Sequence, residues 1–329
     1  MVYLESPSTD PEFNLALEQF VFDEMDRGKE YFMLWQNDNA IIVGKNQNTI
    51  EEINQQYVRE HGIKVVRRLS GGGAVYHDLG NLNFTFIVDG EDASNMDLHS
   101  FCRPITRALN QLGVPAEVNG RNDITIEGRK FSGNSQYIRN KRIMHHGTMM
   151  FDSDLSVVSA CLNVSKDKIE SKGVKSVRSR VTNIREYLSE DITLQQYKEL
   201  LIHFMEEEAP MERHVFTPEE LARAQEIKES RYSRWEWNYG CSPRYRLRKE
   251  RRVEGCGKIL VSMDVEKGCI ENMEFYGDYF GNGDTAELAA LLKGCRMERE
   301  SLLAALEEAD VERYFNHLKK EQLAELLLP

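Results

Sequence analysis

The stretch RRLSGGGAVYHDLGNLNF, residues 67 to 84, most constrains what this chain can fold into. Gly71, Gly72 and Gly73 stand between two apolar runs, IKVVRRL and LNFTFIVDG, that read as strands. Glycine takes positive φ without a steric penalty and lets a backbone approach a ligand closely, and successive N–H groups in such a turn can make an anion-binding nest. Arg67 and Arg68 precede the turn on a strand, where neighbouring side chains point to opposite faces, so one of them is expected to reach the pocket of the glycines. By the same rule His77 and Asp78 are expected to diverge, which argues against a coupled acid–base pair. The run is not a P-loop, because no Gly-Lys-Ser/Thr ends it, and it lacks the G-x-G-x-x-G spacing of a dinucleotide fingerprint. Taken alone, it is also compatible with a turn and nothing more.

A second element narrows the choice. DITIEGRKFSG reads as a hairpin turning at Glu127-Gly128, and it carries Lys130 just ahead of Ser132, Gly133, Asn134 and Ser135, small residues that leave room around an ammonium group. Asn122 and Asp123, directly before the hairpin, offer the hard oxygen atoms that Mg²⁺ uses alongside phosphates. Arginine, glycine turn, Asn/Asp pair and lysine together describe a site for a nucleotide phosphate and its metal, provided that a fold brings the two stretches together.

The rest of the chain supplies that fold. Asp10 can cap a helix that starts at Pro11 and repeats Phe13, Leu17, Val21 and Met25. YFMLWQN and AIIVGKN read as strands, Thr49 to His61 as a polar helix, and Asp97 to Leu112 as a helix ending at Gly113. Helices are also expected at Thr193 to Glu208 and Pro218 to Arg231. After Pro243 an alternating, basic pattern gives way to a Leu/Ala/Glu-rich tail, so 1–245 is expected as a large mixed domain and 246–329 as a small α/β domain. The stretch from Ser165 to Arg185 is rich in lysine and arginine (Lys166, Lys168, Lys172, Lys175, Arg178, Arg180, Arg185), and reads either as a solvated loop or as a flap over an anionic ligand.

A formal charge of −12 argues against a general nucleic-acid or anionic-membrane binder. No basic-then-apolar leader and no long uncharged apolar run is present, so a cytoplasmic protein is expected. Cys102, Cys161, Cys241, Cys256, Cys269 and Cys295 are scattered without a C-x-x-C pair, which suggests neither a disulfide framework nor a zinc site.

RRLSGGGAVYHDLGNLNFTF, GRNDITIEGRKFSGNSQ, HHGTMM, VKSVRSRVTNI and RWEWNYGCSP, in this order, resemble the signature segments of lipoate-protein ligases from the N-terminal helix through the small C-terminal domain. The resemblance implies an α+β chain, with a large mixed-sheet domain of the biotin/lipoate ligase fold. It also implies a two-step reaction: lipoate and ATP give lipoyl-AMP and pyrophosphate, and the lipoyl group then passes to a lysine of a carrier domain. Carried over by position, Lys130 matches the lysine that contacts the lipoate carboxyl and the adenylate phosphate, and Arg68 with Gly73, Ala74, Val75 and Tyr76 matches the nucleotide-binding segment. Asn122 and Asp123 match the metal-binding pair, and Trp35, His146 and Thr148 the acyl pocket, although Trp35 and His146 also read as core residues. The implied cofactor is Mg²⁺. The implied partners are lipoyl domains of 2-oxoacid dehydrogenase acyltransferase subunits and the glycine-cleavage H protein, with no nucleic acid and no membrane. Octanoyl or lipoyl transferases of the same fold work through a cysteine and need no ATP, but GRNDITIEGRK contains no cysteine. A silent lipoate-binding relative is the other alternative, and the intact Lys130, Arg68, Asn122 and Asp123 speak against it.

Overall fold

A computed structural model of the chain describes residues 1–90, 98–119, 122–163, 181–208, 210–242 and 245–328. Most of the basic stretch, from Ser165 through Arg180, lies outside them. The chain forms two compact units, one of residues 1–45 and 58–234, the other of 46–57 and 235–329. These units part between Arg234 and Trp235, ten residues before the boundary expected near 245, and residues 46–57 belong with the C-terminal unit. A single boundary along the sequence cannot register such an insertion.

The large unit is α+β. Its strands are β1 (Val2–Glu5), β2 (Tyr31–Trp35), β3 (Ala40–Val43), β4 (Lys64–Arg67), β5 (Val75–His77), β6 (Asn81–Asp89), β7 (Ala116–Asn119), β8 (Asp123–Ile126), β9 (Arg129–Arg139), β10 (Arg142–Met150) and β11 (Glu212–Arg213). One eight-stranded sheet runs β11-β1-β2-β6-β10-β9-β8-β7, and a smaller sheet runs β4-β3-β5. The large sheet is mixed: β11, β1 and β2 are parallel, and each pair from β2 through β7 is antiparallel.

Strand β6 shows why the sheet has two unlike faces. Its sequence NLNFTFIVD alternates, so Leu82, Phe84, Phe86 and Val88 enter the main apolar core with Phe32, Leu34, Ile143 and Met149. Asn81, Asn83 and Thr85 are buried on the opposite face. Each buried Phe or Leu is worth about 2–3 kcal/mol over exposure, so a one-residue slip, which would exchange the faces, is strongly disfavoured. Helix α1 (Pro11–Glu24) is capped by Asp10, whose carboxylate accepts from the Glu12 N–H, and its Glu18 reaches Thr85 on the polar face. The apolar face is covered by Phe101, Ile105 and Leu109 of the helix Leu98–Gln111, which ends at Gly113 with φ +80°, and by Tyr197 and Leu201 of the helix Leu194–Glu208. The hairpins turn at Glu127-Gly128 (φ 50° and 75°) and Asn140-Lys141 (φ 51° and 64°), both in the left-handed pair that matches strand twist.

The small unit carries the antiparallel sheet β12 (Tyr245–Val253), β13 (Gly257–Glu266), β14 (Cys269–Gly277). Ile259, Val261, Met263 and Val265 alternate into a core shared with Leu288, Leu302, Phe315 and Leu327. Ile50 joins that core, and Thr49 donates its hydroxyl to the Asn238 carbonyl at 2.6 Å. The single helix expected over 49–61 is interrupted: Thr49–Glu52 ends at Ile53 in extended conformation, and Gln55–Glu60 follows.

Candidate active site

A cavity of about 340 Å³ opens in the large unit on the polar face of the sheet, within the size range of small-ligand sites. It brings together Trp35, Arg68, Gly73, Ala74, Val75, Asn122, Asp123, Lys130, His146 and Thr148, with Leu15, Ile42, Gly72, His77, Asn83, Gly133, Asn134, Ser135 and Gly147 completing the wall. Tyr76 is not in the lining. It sits between Val75 and His77 on β5, so strand alternation turns its side chain away, and its hydroxyl donates to Asn39 Oδ1 at 3.1 Å.

The Lys130 hairpin reaches the cavity because β8 pairs with β9, setting Asp123 opposite Gly133 and Thr125 opposite Lys130 across a register irregularity. The Lys130 ammonium lies 2.7 Å from Asp123 Oδ1, and both side chains remain about one-third exposed. A Cβ on Gly133 would stand 2.8 Å from the Lys130 Nζ, so a larger residue there would push the ammonium from its present place. Asn122 and Asn134 clamp the entry: the Asn122 amide donates to the Asn134 carbonyl at 3.0 Å, and the Asn134 amide donates back to the Asn122 carbonyl at 3.1 Å. Thr148 Oγ1 accepts from the Gly133 N–H. Val181, immediately after the undescribed stretch, bridges in parallel to Lys130, and the Thr182 N–H donates to its carbonyl.

Arg68 is held differently. Its Nε donates to Ser70 Oγ, its Nη1 to the Ile42 carbonyl, and its Nη2 to the carbonyls of Gly71 and Gly73 at 2.6 and 2.8 Å. Burial lowers its pKa to about 10, which leaves it charged at neutral pH. Arg68 thus fixes the shape of the glycine turn. Of the three glycines only Gly72 takes positive φ, +88°, and its carbonyl lies where a Cβ on Gly44 would stand 2.1 Å away. The N–H groups of Gly71, Gly72 and Gly73 find no acceptor among the described residues, so they are free to meet an anion. Arg67 faces the other way, as alternation requires, and donates to the carbonyls of Gly44 and Lys45.

The inner end is aromatic and hydrogen-bonded. Trp35 Nε1 donates to Thr85 Oγ1, and His146 bridges Glu18 and Ser70. Trp35 and His146 are therefore both buried and part of the cavity wall. His77 Nδ1 accepts from the Asn37 amide, whose oxygen is taken by Asn14. Burial, with Arg68 and His146 adding to it, depresses its pKa to about 3, so His77 is neutral and turns away from any acid–base pairing with Asp78. Asp78 instead accepts from the Gly80 and Asp154 N–H groups. Ser70, His77 and Asn83 lie inside the 67–84 stretch without a chemistry of their own to single them out there, and Glu18 stands outside every motif. The one available signal was polarity inside hidden patterns, Asn83 and Thr85 in β6 and Glu18 on a helix buried nearly all round.

Cys102 and Cys161, the cysteines of this unit, are buried and stand outside the lining, and burial pushes the Cys161 thiol up to about 12. Neither is a poised nucleophile. Arg185, the one described cation of the basic stretch, is paired with Asp152 and Asp191. No described helix is long and apolar enough to cross a membrane.

Comparison with known proteins agrees with this geometry. The chain is 44% identical over 331 residues to the lipoate-protein ligase LplJ of Bacillus subtilis, covering 99% of this chain and all of that one. The bi-partite lipoate protein ligase of Thermoplasma acidophilum, described with its E2 lipoyl domain, superposes with a TM-score of 0.63 at 30% identity, over 73% of this chain and 96% of that one. A lipoate-protein ligase A bound with ATP gives 0.61 at 29% identity, over 73% and 98%. The profile of the lipoyl protein ligase A/B catalytic domain matches residues 10–206, and that of the bacterial lipoate protein ligase C-terminus matches 242–327. The chain belongs to the lipoate-protein ligase family, with both the catalytic and the C-terminal domain of its bacterial members.

Proposed function

We propose that the large unit activates lipoate with ATP to lipoyl-AMP and transfers the lipoyl group to a lysine of a carrier domain. The observation that supports this most is the convergence, in one cavity, of a partly exposed ammonium, a pair of hard oxygen donors, a glycine turn with free N–H groups, and an aromatic inner end. In the first step a carboxylate oxygen of lipoate attacks the α-phosphorus of ATP and pyrophosphate leaves. Negative charge grows on the phosphoryl oxygens as the bond forms, and the Lys130 ammonium, already fixed by Asp123, stabilises it there. The glycine turn from Gly71 to Val75, held by Arg68, cradles the nucleotide through backbone N–H groups; Tyr76 contributes backbone only. Leu15, Trp35, Ile42, His146 and Thr148 take the acyl chain. In the second step the carrier amine attacks the acyl carbonyl of the mixed anhydride, AMP leaves, and the amine gives up a proton.

The protein oxygens fit Mg²⁺. Asp123 keeps one carboxylate oxygen beyond the Lys130 pair, and Asn122 spends its amide N–H but not its side-chain oxygen. The described residues hold no group of three or more His, Cys, Asp or Glu close enough to cage an ion, so nucleotide phosphates and water would complete the shell, as is usual for this cation. When bound, the ion would neutralise phosphate charge. The carriers are lipoyl domains of 2-oxoacid dehydrogenase acyltransferase subunits and the glycine-cleavage H protein, met in the cytoplasm.

Incubating the protein with ATP, lipoate and an apo E2 lipoyl domain tests the proposal. The carrier should gain the mass of one lipoyl group at a single lysine, and only when both small molecules are present. Modification without ATP would overturn it.

A further inference from the structure

We infer that Glu18 is a positioning residue that couples the nucleotide end of the cavity to its acyl end through one continuous chain of hydrogen bonds. The inference rests on the acyl-adenylate reading above.

Glu18 is 2% exposed; among the described residues no lysine or arginine hydrogen-bonds to it, and its charge acts through space on the buried Arg68. Its Oε1 accepts from Thr85 Oγ1 at 2.6 Å and meets His146 Nδ1 at 2.9 Å. A carboxylate only accepts, so His146 donates to Glu18 from Nδ1, which leaves its Nε2 for a second partner. Ser70 Oγ lies 2.5 Å from that Nε2, and Arg68 Nε donates to Ser70 Oγ at 3.0 Å. On the other arm, Trp35 Nε1 donates to Thr85 Oγ1 at 2.9 Å. Both arms therefore end on Glu18: Arg68, Ser70 and His146 on one side, Trp35 and Thr85 on the other.

The two ends of this chain do different work. Arg68 shapes the glycine turn, and Trp35 walls the acyl end. Glu18, Ser70 and Thr85 do not line the cavity, so they act through the residues that do. A buried carboxylate stays favourable only while its acceptor capacity is filled, and the donors around it stay in place only while it accepts. Losing the central acceptor should loosen both ends together, whereas cutting one arm should loosen one end.

Equilibrium binding of ATP alone and of lipoate alone separates these effects. Ser70→Ala should weaken ATP about ten-fold and lipoate less than about two-fold, on the scale of one lost buried hydrogen bond. Thr85→Val should show the mirror pattern. Glu18→Met should weaken both, and Glu18→Gln should restore most of the loss, since one amide oxygen can accept both bonds now made to Oε1. If Glu18→Met cannot be obtained folded, the two single-arm variants carry the test. Equal shifts for both substrates in Ser70→Ala or Thr85→Val, or no rescue by Gln, would overturn the coupling. Wild-type protein that bound neither substrate would overturn the adenylation reading, and the inference with it.

Discussion

Arg68 and Lys130 are the two long cations in the cavity wall, and the chain holds them in opposite ways. Arg68 is 6% exposed, and its Nε, Nη1 and Nη2 all donate within the protein, to one serine hydroxyl and three backbone carbonyls. Lys130 is about one-third exposed and has Asp123 as its ion-pair partner, on a hairpin whose neighbours are kept small around the ammonium. The arginine fork, which can satisfy several carbonyls at once, suits a framework, while a compact ammonium on a flexible stem suits a reacting centre. Positive charge beside a glycine turn thus has two physical uses here, to hold the turn and to meet the substrate.

Removing the available cation should have the largest effect on chemistry and the smallest on folding. Lys130→Ala should cut adenylate formation by roughly 100- to 1,000-fold, the scale of losing one fixed donor at a developing charge. Its denaturant stability should stay within about 1 kcal/mol of wild type. Comparable losses in stability and rate would erase the distinction. Arg68→Lys should reverse the balance. An ammonium cannot span Ser70, Ile42, Gly71 and Gly73, so stability in guanidinium titrations should drop by about 2–4 kcal/mol, with ATP affinity falling as the turn relaxes. An Arg68→Lys protein of unchanged stability would show that the arginine is not the frame.

Asp123→Asn sharpens the available side. It removes the partner of Lys130 and one hard oxygen charge together, so the Mg²⁺ midpoint of activity should rise about ten-fold while lipoate affinity holds. An unchanged midpoint would make Asp123 a structural partner of Lys130 alone. The framework side has its own pH signature. His145, stacked on Phe101 at 4.8 Å, has its pKa depressed by burial to about 3. The unfolded chain protonates near 6.5, so this group supports folding above that value and withdraws support as pH falls toward 3. Between those limits, His145→Phe should flatten the loss of stability by about 1.4 kcal/mol per pH unit. An identical slope in the variant would mean His145 is not neutral in the fold.

Much of this organisation is visible along the chain. Asp10-Pro11, the Glu127-Gly128 turn, the alternation of β6 and the stop at Gly113 are local signals, and each appears where its chemistry demands. The assignment of 46–57 is not local: it depends on Ile50 entering a core built more than two hundred residues later, for which no pattern in TIEEINQQYVRE speaks. The site divides the same way. Lys130, Asn122 and Asp123 carry recognisable company; Glu18 carries none, and it meets Thr85 and, through His146, Ser70 of the glycine-rich segment only because helix α1 packs against strands β6 and β10. Tyr76 belongs to the same motif, yet strand alternation on β5 turns its side chain to Asn39 and away from the cavity.

The most direct measurement is exchange of labelled pyrophosphate into ATP by the purified protein, without any carrier domain. If the cavity forms an acyl adenylate, exchange should require lipoate and Mg²⁺ and should disappear in Lys130→Ala. No lipoate-dependent exchange, together with octanoyl transfer from an acyl-carrier thioester in the absence of ATP, would contradict adenylation and assign the fold to acyl transfer instead.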